Sequence, residues 1–356
     1  MTDYLIRAAL WQIPTMVINP NLDAPEFTSS TLTMNAMNNL AAHERFRLLE
    51  EQVDDAVVAF RQRPPKAGER VVDVFVAPEY LFAQSDTQHF NDESTKDRVC
   101  GLLETLSKRH PTMVIVPGTI AWRQPGLRSN FLARWLLEDR GTRALRARNA
   151  RNLSAKESRR LEAARDDGQS YWLGRNTSYI YHSGKRLLKY DKRNDGGEVN
   201  SGDGQRIYFA PGEKESYFIV DGLEFCLQIC AEHGGQPPRE SDIQIVIASS
   251  LPLMQGSGRV RADGYLLYVD AVLKPGAKRF ANGAWTDVAA DWRAAASPLT
   301  VDEITDRARR GLQAMPATVN KTKGDTTIQD AEARRLASAA TQLGGEIAYY
   351  ALTYSK

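Results

Sequence analysis

Polar residues with catalytic chemistry follow three apolar segments, each at the point where a strand would end. The segments are 76–80 (VAPEY), 188–192 (LKYDK) and 227–233 (LQICAEH). Active-site residues of layered α/β proteins commonly lie just beyond strand ends. Here the residues are a carboxylate (Glu79), an ammonium (Lys192) and a thiol (Cys230). A thiol can serve as a nucleophile with a carboxylate as its base, and an ammonium can stabilise an oxyanion.

Each of these residues also has an ordinary structural interpretation. Glu79 fits a charge at a helix start, and Lys192 fits a lysine in a basic turn. A free cysteine is most often a small buried hydrophobe. We interpret Cys226, four residues before Cys230, and Cys100, beside the apolar face of a predicted helix, in that way. The catalytic interpretation therefore depends on the three segments taken together.

The order of these segments along the chain, and the residues that flank them, resemble those of a known protein family. The three motifs are PEYLF (78–82), NTSYIYHSGKRLLKYDK (176–192) and GLEFCLQICAEH (222–233), with GDG (202–204) and PGE (211–213) between the last two. Together they resemble the nitrilase superfamily of carbon–nitrogen hydrolases, which uses a Glu–Lys–Cys triad in that chain order. The resemblance covers about residues 4–273, and one motif alone would be weak.

The resemblance implies an α-β-β-α four-layer sandwich with the site at its strand ends. It also implies that Cys230 attacks an amide, carbamoyl or nitrile carbon while Glu79 acts as general base. Lys192 and the backbone N–H of Ala231 would stabilise the developing negative charge. A thioester or thioimidate would form and be hydrolysed, with no metal or organic cofactor. Proteins of this family usually pair into dimers or larger homo-oligomers.

Further site residues follow from the same resemblance. The stretch CAEH (230–233) is similar to the CWEH of the nitrile-processing branch, and it predicts Glu232 as a pocket residue. His233 either lines the pocket as well or bonds to a backbone carbonyl. Trp122 is a further candidate for the pocket wall, and Glu198 is the nearest candidate for a second glutamate after the lysine. Ala231 stands where the branch has a tryptophan. This small residue leaves room, which predicts an amide or carbamoyl substrate larger than a simple aliphatic nitrile.

The hydrophobic pattern predicts the elements that position these residues. Strands are predicted at 5–11, 71–77, 113–116, 243–248, 265–273 and 347–353, with hairpins at 177–190 and 217–229. Helical spacing of apolar residues predicts two helices, one from 46 to 60 and one with its apolar face from 99 to 106. Strands alternating with helices indicate an α/β layered fold.

Two regions lie outside this pattern. Residues of about 123–168 are rich in arginine and are interpreted as a helical surface insertion. We predict one carbon–nitrogen hydrolase domain over 1–280, which includes this insertion. The remainder, 281–356, is a helix-prone C-terminal extension that packs on the sandwich or at an oligomer interface. Its apolar last strand needs a partner or a cover, since an exposed apolar edge invites aggregation.

Composition limits the partners and the compartment. The formal net charge is +2, from 46 Lys and Arg against 44 Asp and Glu, so a nucleic-acid partner is not expected. The chain has three cysteines, a low and odd number that argues against a disulfide framework. No CxxC pair is present, which argues against a zinc site. No apolar run is long enough to span a bilayer and no signal peptide is recognisable, so we expect a cytoplasmic protein without a membrane partner.

Three functions remain open at the level of sequence. The first is hydrolysis of a non-peptide carbon–nitrogen bond in a small molecule. The second is amide or acyl transfer, in which an amine replaces water; both reactions pass through a thioester on Cys230. The third is a non-catalytic role in which the arginine-rich insertion binds a partner.

Overall fold

A computed structural model of the chain shows two β-sheets packed face to face. It describes residues 2–13, 15, 40–84, 90–125, 172–194, 207–212, 215–249, 251–254, 256–295 and 346–356. The arginine-rich insertion beyond residue 125, Glu198 and the GDG at 202–204 lie outside the described residues.

The described elements are two helices and fifteen strands. The helices are α1 (Ala42–Arg61) and α2 (Glu93–Arg109). The strands of the first half are β1 (Asp3–Gln12), β2 (Arg70–Val76), β3 (Met113–Val116), β4 (Ile120–Pro125), β5 (Trp172–His182), β6 (Lys185–Asp191) and β7 (Ile207–Phe209). Those of the second half are β8 (Tyr217–Val220), β9 (Leu223–Ile229), β10 (Ser241–Ala248), β11 (Val260–Asp270), β12 (Gly276–Ala281), β13 (Ala284–Val288), β14 (Trp292–Ala295) and β15 (Glu346–Ser355).

The strands that precede the three predicted site segments belong to both sheets: β2 and β6 lie in one, and β9 lies in the other. The nine-stranded sheet has the order β14-β15-β1-β2-β3-β5-β4, with β6 and β7 also paired to β5. The six-stranded sheet has the order β13-β12-β11-β10-β9-β8. Strands β1, β2 and β3 run parallel, as do β9, β10 and β11. Parallel strands end at the same edge of a sheet, which gathers the residues that follow them.

Alternating side chains build the core between the sheets. Ile6, Val74, Leu227 and Ile245 are fully buried there, and their neighbours in sequence point to the outer faces. Successive side chains of a strand point to opposite faces of the sheet, so every second residue faces the core between the two sheets. The contact between the sheets is therefore made by branched aliphatic and aromatic side chains.

Helices α1 and α2 cover the outer face of the nine-stranded sheet. Phe46, Leu49 and Val53 of α1 and Leu103 of α2 are buried against the sheet. They recur at helical spacing, so one stripe of each helix faces the core. On the outer face of the six-stranded sheet, the described residues include loops and one short 3-10 turn but no α-helix.

The layered α/β sandwich predicted from the sequence is confirmed in the described residues, where helices cover one of the two sheets. Each strand named from the sequence is present, several with longer bounds. The expectation of a helix-prone region after residue 280 is wrong over 284–295, where β13 and β14 form. These strands are short and half-exposed, so they lack the apolar run that marks a buried strand.

The C-terminal strand completes the nine-stranded sheet. All ten residues of β15 pair with β1, in an antiparallel register from Asp3↔Ser355 to Gln12↔Glu346, and β14 pairs with its other side. Its apolar side chains thus find their partners within the same chain. This removes the unpaired strand as a reason to expect an oligomer.

Strand β15 belongs to the core, which predicts a large effect of Leu352→Ala. Leu352 is buried between the sheets, and truncating a buried leucine typically costs about 2–5 kcal/mol. Thr353→Ala is the matched control, because that side chain is exposed on the same strand. Urea denaturation should show a much lower free energy of unfolding for Leu352→Ala alone. Equal values for the two variants would mean that β15 is not part of the core.

Candidate active site

Glu79 lies in a tightly held loop directly after β2. The hydroxyl of Thr15 donates to its backbone carbonyl at 2.6 Å. The next residue, Tyr80, donates its N–H to Thr119 Oγ1 at 2.8 Å and has a φ of 60°. A bulky residue rarely adopts this left-handed conformation, which costs on the order of 1–3 kcal/mol. The surrounding bonds thus fix where the Glu79 carboxylate points.

Gly118 allows this loop to approach strand β3. Its φ is 74°, and a Cβ atom built on it would lie 2.0 Å from the carbonyl oxygen of Pro78. Any side chain at this position would push Pro78, and with it Glu79, away from the sheet.

Lys192 follows β6 and is held by main-chain bonds on both sides. Its N–H donates to the carbonyl of Asn176 at 2.8 Å, and its carbonyl accepts from the N–H of Gly212 at 2.9 Å. A Cβ at Gly212 would lie 1.8 Å from the carbonyl oxygen of Asp191. The glycine of the PGE motif therefore permits the close approach that places Lys192.

Glu79 and Lys192 form a buried ion pair. Lys192 Nζ lies 2.9 Å from Glu79 Oε1, and both side chains are 0% exposed. Asn176 Nδ2 donates to the same oxygen at 2.8 Å. A buried ion pair is costly unless its charges are well matched, so such pairs often mark functional sites.

Cys230 reaches this pair from the other sheet. It follows β9, begins the 3-10 turn Cys230–Gly234, and has a φ of 48°. Its Sγ lies 3.9 Å from the carbonyl oxygen of Ser249, at the end of β10. A strained, left-handed residue at the end of a buried strand presents its side chain on a sharp turn.

Burial raises the pKa of the Cys230 thiol well above its usual range. The negative charge of Glu79 and a hydrogen bond with that carboxylate raise it further, and Lys192 opposes both. The resting residue is therefore a neutral thiol beside an ionised carboxylate and an ammonium. Lys192 favours the thiolate, but burial and the charge of Glu79 outweigh it.

The arrangement can carry out base-assisted nucleophilic attack. A carboxylate that bonds to the thiol can take its proton as a new bond to sulfur forms. The ammonium then lies where negative charge on an electrophile could be stabilised without water. Ala231 lies in the first turn after the thiol, with its side chain half-buried.

Glu232 bonds to protein groups on both sides of the site. Its buried carboxylate accepts the N–H of Arg193 at 2.6 Å, the N–H of Ile229 at 2.9 Å and the hydroxyl of Tyr190 at 3.0 Å. Burial raises its pKa, whereas the two N–H bonds and the charge of Lys192 lower it. Its partners are protein groups of two different segments.

His233 is also turned into the protein. It is fully buried, and its Nδ1 lies 3.0 Å from Gln228 Oε1. That oxygen also accepts from Gln244 at 2.6 Å, so Nδ1 must carry the proton and donate. Burial lowers the pKa of His233 to about 4. The residue is a neutral part of the polar layer on the outer face of the six-stranded sheet.

Trp122 packs in the core rather than in a pocket. It is buried beneath α2, where its Nε1 donates to Thr177 Oγ1 at 2.8 Å and Lys96 Nζ lies 4.3 Å from its ring centre. Glu198, the candidate second glutamate, lies outside the described residues.

The other two cysteines occupy structural positions, as expected. Cys226 is fully buried, with its Sγ 3.4 Å from Ser216 Oγ, and burial raises its pKa to about 11. Cys100 packs at the edge of the helix-facing core.

Sequence reasoning missed the role of Asn176. It belongs to the NTSYIY segment, yet nothing in its type indicated a bond to a glutamate 97 residues earlier. The signal was its position: Asn176 opens the hairpin that ends in Lys192, so its side chain and carbonyl contact both members of the ion pair.

Two other kinds of site were also sought. Among the described residues, no group of three or more His, Cys, Asp or Glu side chains could hold a metal ion. Neither described helix has the length and apolarity that a bilayer-spanning segment requires.

Comparison with known proteins finds similarity among solved structures. No family model matches the chain, and no curated protein matches it. An amidase from Nesterenkonia sp. is 13% identical with a TM-score of 0.37, over 78% of this chain and 83% of that chain. Nit3 of Saccharomyces cerevisiae, a member of branch 10 of the nitrilase superfamily, is 13% identical with a TM-score of 0.36, over 80% and 90%.

A third match is longer than this chain. The glutamine-dependent NAD+ synthetase of Acinetobacter baumannii is 13% identical with a TM-score of 0.38, over 81% of this chain and 43% of that chain. All three TM-scores lie below 0.5, so the functional inference depends on the residues of the site.

The low pKa of His233 predicts a pH-dependent stability. Between pH 6.5 and about 4 the unfolded chain binds a proton at this residue and the folded chain does not. Folding stability should therefore fall as pH falls through this window, by up to about 1.4 kcal/mol per pH unit. His233→Asn keeps a donor toward Gln228 but does not titrate. In urea denaturation at pH 7 and pH 5, the wild type should lose more stability than the variant; equal losses would contradict the assignment.

Proposed function

We propose that this protein is a thiol-dependent hydrolase of non-peptide carbon–nitrogen bonds, of the nitrilase superfamily. The observation that carries the proposal is the buried Glu79–Lys192 pair meeting Cys230. These residues come from three separate strand ends and two different sheets. An ion pair with both side chains fully buried offers little net stability, so catalysis is the better explanation for keeping it beside a strained thiol.

The first half-reaction forms a covalent intermediate. Cys230 Sγ attacks the carbon of an amide or carbamoyl group and gives its proton to Glu79 as the C–S bond forms. Negative charge develops on the substrate oxygen, where Lys192 and the backbone N–H of Ala231 stabilise it. The C–N bond then breaks. Glu79 returns the proton to the leaving nitrogen, which departs as ammonia or an amine and leaves a thioester.

The second half-reaction releases the product. Glu79 takes a proton from water as that water attacks the thioester carbon. The C–S bond breaks, the acid leaves, and the proton returns to the Cys230 sulfur. The net charge of the site is the same before and after each half-reaction. Each proton that Glu79 takes, from Cys230 or from water, is returned to the leaving nitrogen or to the sulfur, and Lys192 stays positively charged.

Small residues near the thiol support an amide or carbamoyl substrate over a compact nitrile. Ala231 follows the nucleophile, and a Cβ built on Gly234 would meet its nearest neighbour, Met254 Sδ, only at 3.9 Å. Trp122 packs beneath α2 and does not refill this space. Room beside a nucleophile favours a larger substrate, although a missing methylene contact is worth only about 1–3 kcal/mol of discrimination.

Covalent trapping tests the function directly. Intact mass spectrometry after incubation with a panel of amides, carbamoyl compounds and aliphatic nitriles should reveal an acyl adduct on Cys230. Cys230→Ala should lose the adduct and all turnover, while Cys226→Ala should keep both, because Cys226 is fully buried four residues away. Turnover that survives Cys230→Ala but not Cys226→Ala would show that the nucleophile is misassigned.

A clear preference for small nitriles in kcat/KM would overturn the substrate class.

Variants of the ion pair should separate the two proposed roles. Glu79→Gln should block both half-reactions, since it removes the base. Lys192→Ala should lower kcat by about 10²–10³, the usual effect of removing one oxyanion donor. Steady-state kinetics and burst measurements would distinguish the two. Glu79→Gln retaining wild-type acylation would refute the assignment of the base.

A further inference from the structure

The two sheets contribute to the site separately. Glu79 and Lys192 follow β2 and β6 of the nine-stranded sheet, whereas Cys230 follows β9 of the six-stranded sheet. Ladder hydrogen bonds fix positions within one sheet. Between the sheets, the contact consists mainly of apolar side chains, and their attraction is non-directional. A thiol that must lie at bonding distance from a carboxylate therefore needs a directional link across this interface.

Glu232 supplies such a link. Its Oε1 accepts the N–H of Arg193, the residue directly after Lys192. Its Oε2 accepts the N–H of Ile229, the residue directly before Cys230. One carboxylate thus bonds the main chain on both sides of the interface, immediately beside the two residues whose separation matters.

A third donor holds the carboxylate in the plane of this bridge. The hydroxyl of Tyr190, at the end of β6, lies 3.0 Å from both oxygens of Glu232. The charge of Lys192 also favours the ionised form. These interactions offset part of the desolvation, which still holds the pKa of Glu232 above its usual range. Hydrogen bonds to charged groups are the stronger kind.

We infer that Glu232 is a positioning residue: its carboxylate sets the place of Cys230 relative to Lys192 across the two sheets. This inference rests on the proposed function, because it concerns how that triad is assembled. The described hydrogen-bond donors to the Glu232 carboxylate are Tyr190, Arg193 and Ile229, and none of them is a member of the proposed triad. Glu232 acts through the backbone of the residues adjacent to the nucleophile and the ammonium.

The bridge requires a group with two acceptors. A glutamine has the same shape, but its NH₂ would face one of the two backbone N–H donors, so one bond would be replaced by a donor–donor contact. An aspartate keeps the charge but is one methylene shorter, and it cannot reach both segments. Tyr190→Phe removes only the hydroxyl and leaves both main-chain bonds in place.

The test compares Glu232→Gln with a second buried carboxylate. Asp242 is fully buried and accepts from Glu224 N, Tyr354 and Lys356 at the opposite end of the neighbouring strand β10. Asp242→Asn should therefore lower stability without moving Cys230. Two quantities are measured for each folded variant: the rate of iodoacetamide alkylation of each cysteine by peptide mass spectrometry, and kcat and KM on the best substrate of the panel.

We expect Glu232→Gln to lower both the alkylation rate of Cys230 and kcat at least tenfold. The KM should change less than threefold. Asp242→Asn should remain within threefold of the wild type. Wild-type values for a folded Glu232→Gln variant would overturn the inference. An equal loss in Asp242→Asn would also overturn it, because the effect would then be general destabilisation.

Two further outcomes are decisive. If Glu232→Gln does not fold, Glu232→Asp takes its place, and wild-type alkylation in that variant would overturn the inference. If wild-type Cys230 reacts no faster than Cys226 or Cys100 and gives no turnover, the proposed function itself fails. That result is visible in the unmodified protein, so it cannot be confused with failure of the positioning role.

Discussion

The cost of burying charge governs the organisation of this site. Neither Glu79 nor Lys192 has exposed side-chain surface, and a single buried ion would cost several kcal/mol. Each is tolerated only because the other lies 2.9 Å away, so the loops after β2 and β6 must hold that separation. The glycines that permit close backbone approach, and the amide of Asn176 on the shared oxygen, serve this single requirement.

The same electrostatics explains why the thiol is neutral at rest. A thiolate here would add a second negative charge beside the buried Glu79 carboxylate, and one ammonium cannot balance both. Under the proposed function, Glu79 is protonated, and so loses its negative charge, only as negative charge develops on the substrate oxygen. The site thus keeps one anion and one cation throughout, and it avoids reorganising water around a changing net charge.

Sequence reasoning identified the groups that carry chemistry but not those that hold them in place. Glu79, Lys192 and Cys230 could be found because each is a reactive residue after an apolar strand, in a recognisable order. Glu232 was assigned to a pocket, and His233 to a pocket as one of two alternatives, because both follow the thiol in sequence. Their orientation is set by Arg193, Tyr190 and Gln228, and those contacts arise only when strands assemble. Strands β12 to β14 were missed because their half-exposed side chains form no continuous apolar run.

The pairing of β1 with β15 also bears on how the chain reaches this structure. The first described strand lies beside the last one, more than 330 residues away, and only β14 lies between this pair and the edge of the nine-stranded sheet. Contacts this distant in sequence are slow to form, because loop-closure entropy is paid before they stabilise anything. Until β15 arrives, one long apolar edge of β1 lacks its partner and resembles the edges through which chains aggregate. This topology therefore predicts that the yield of folded protein depends on the rate of synthesis and on temperature.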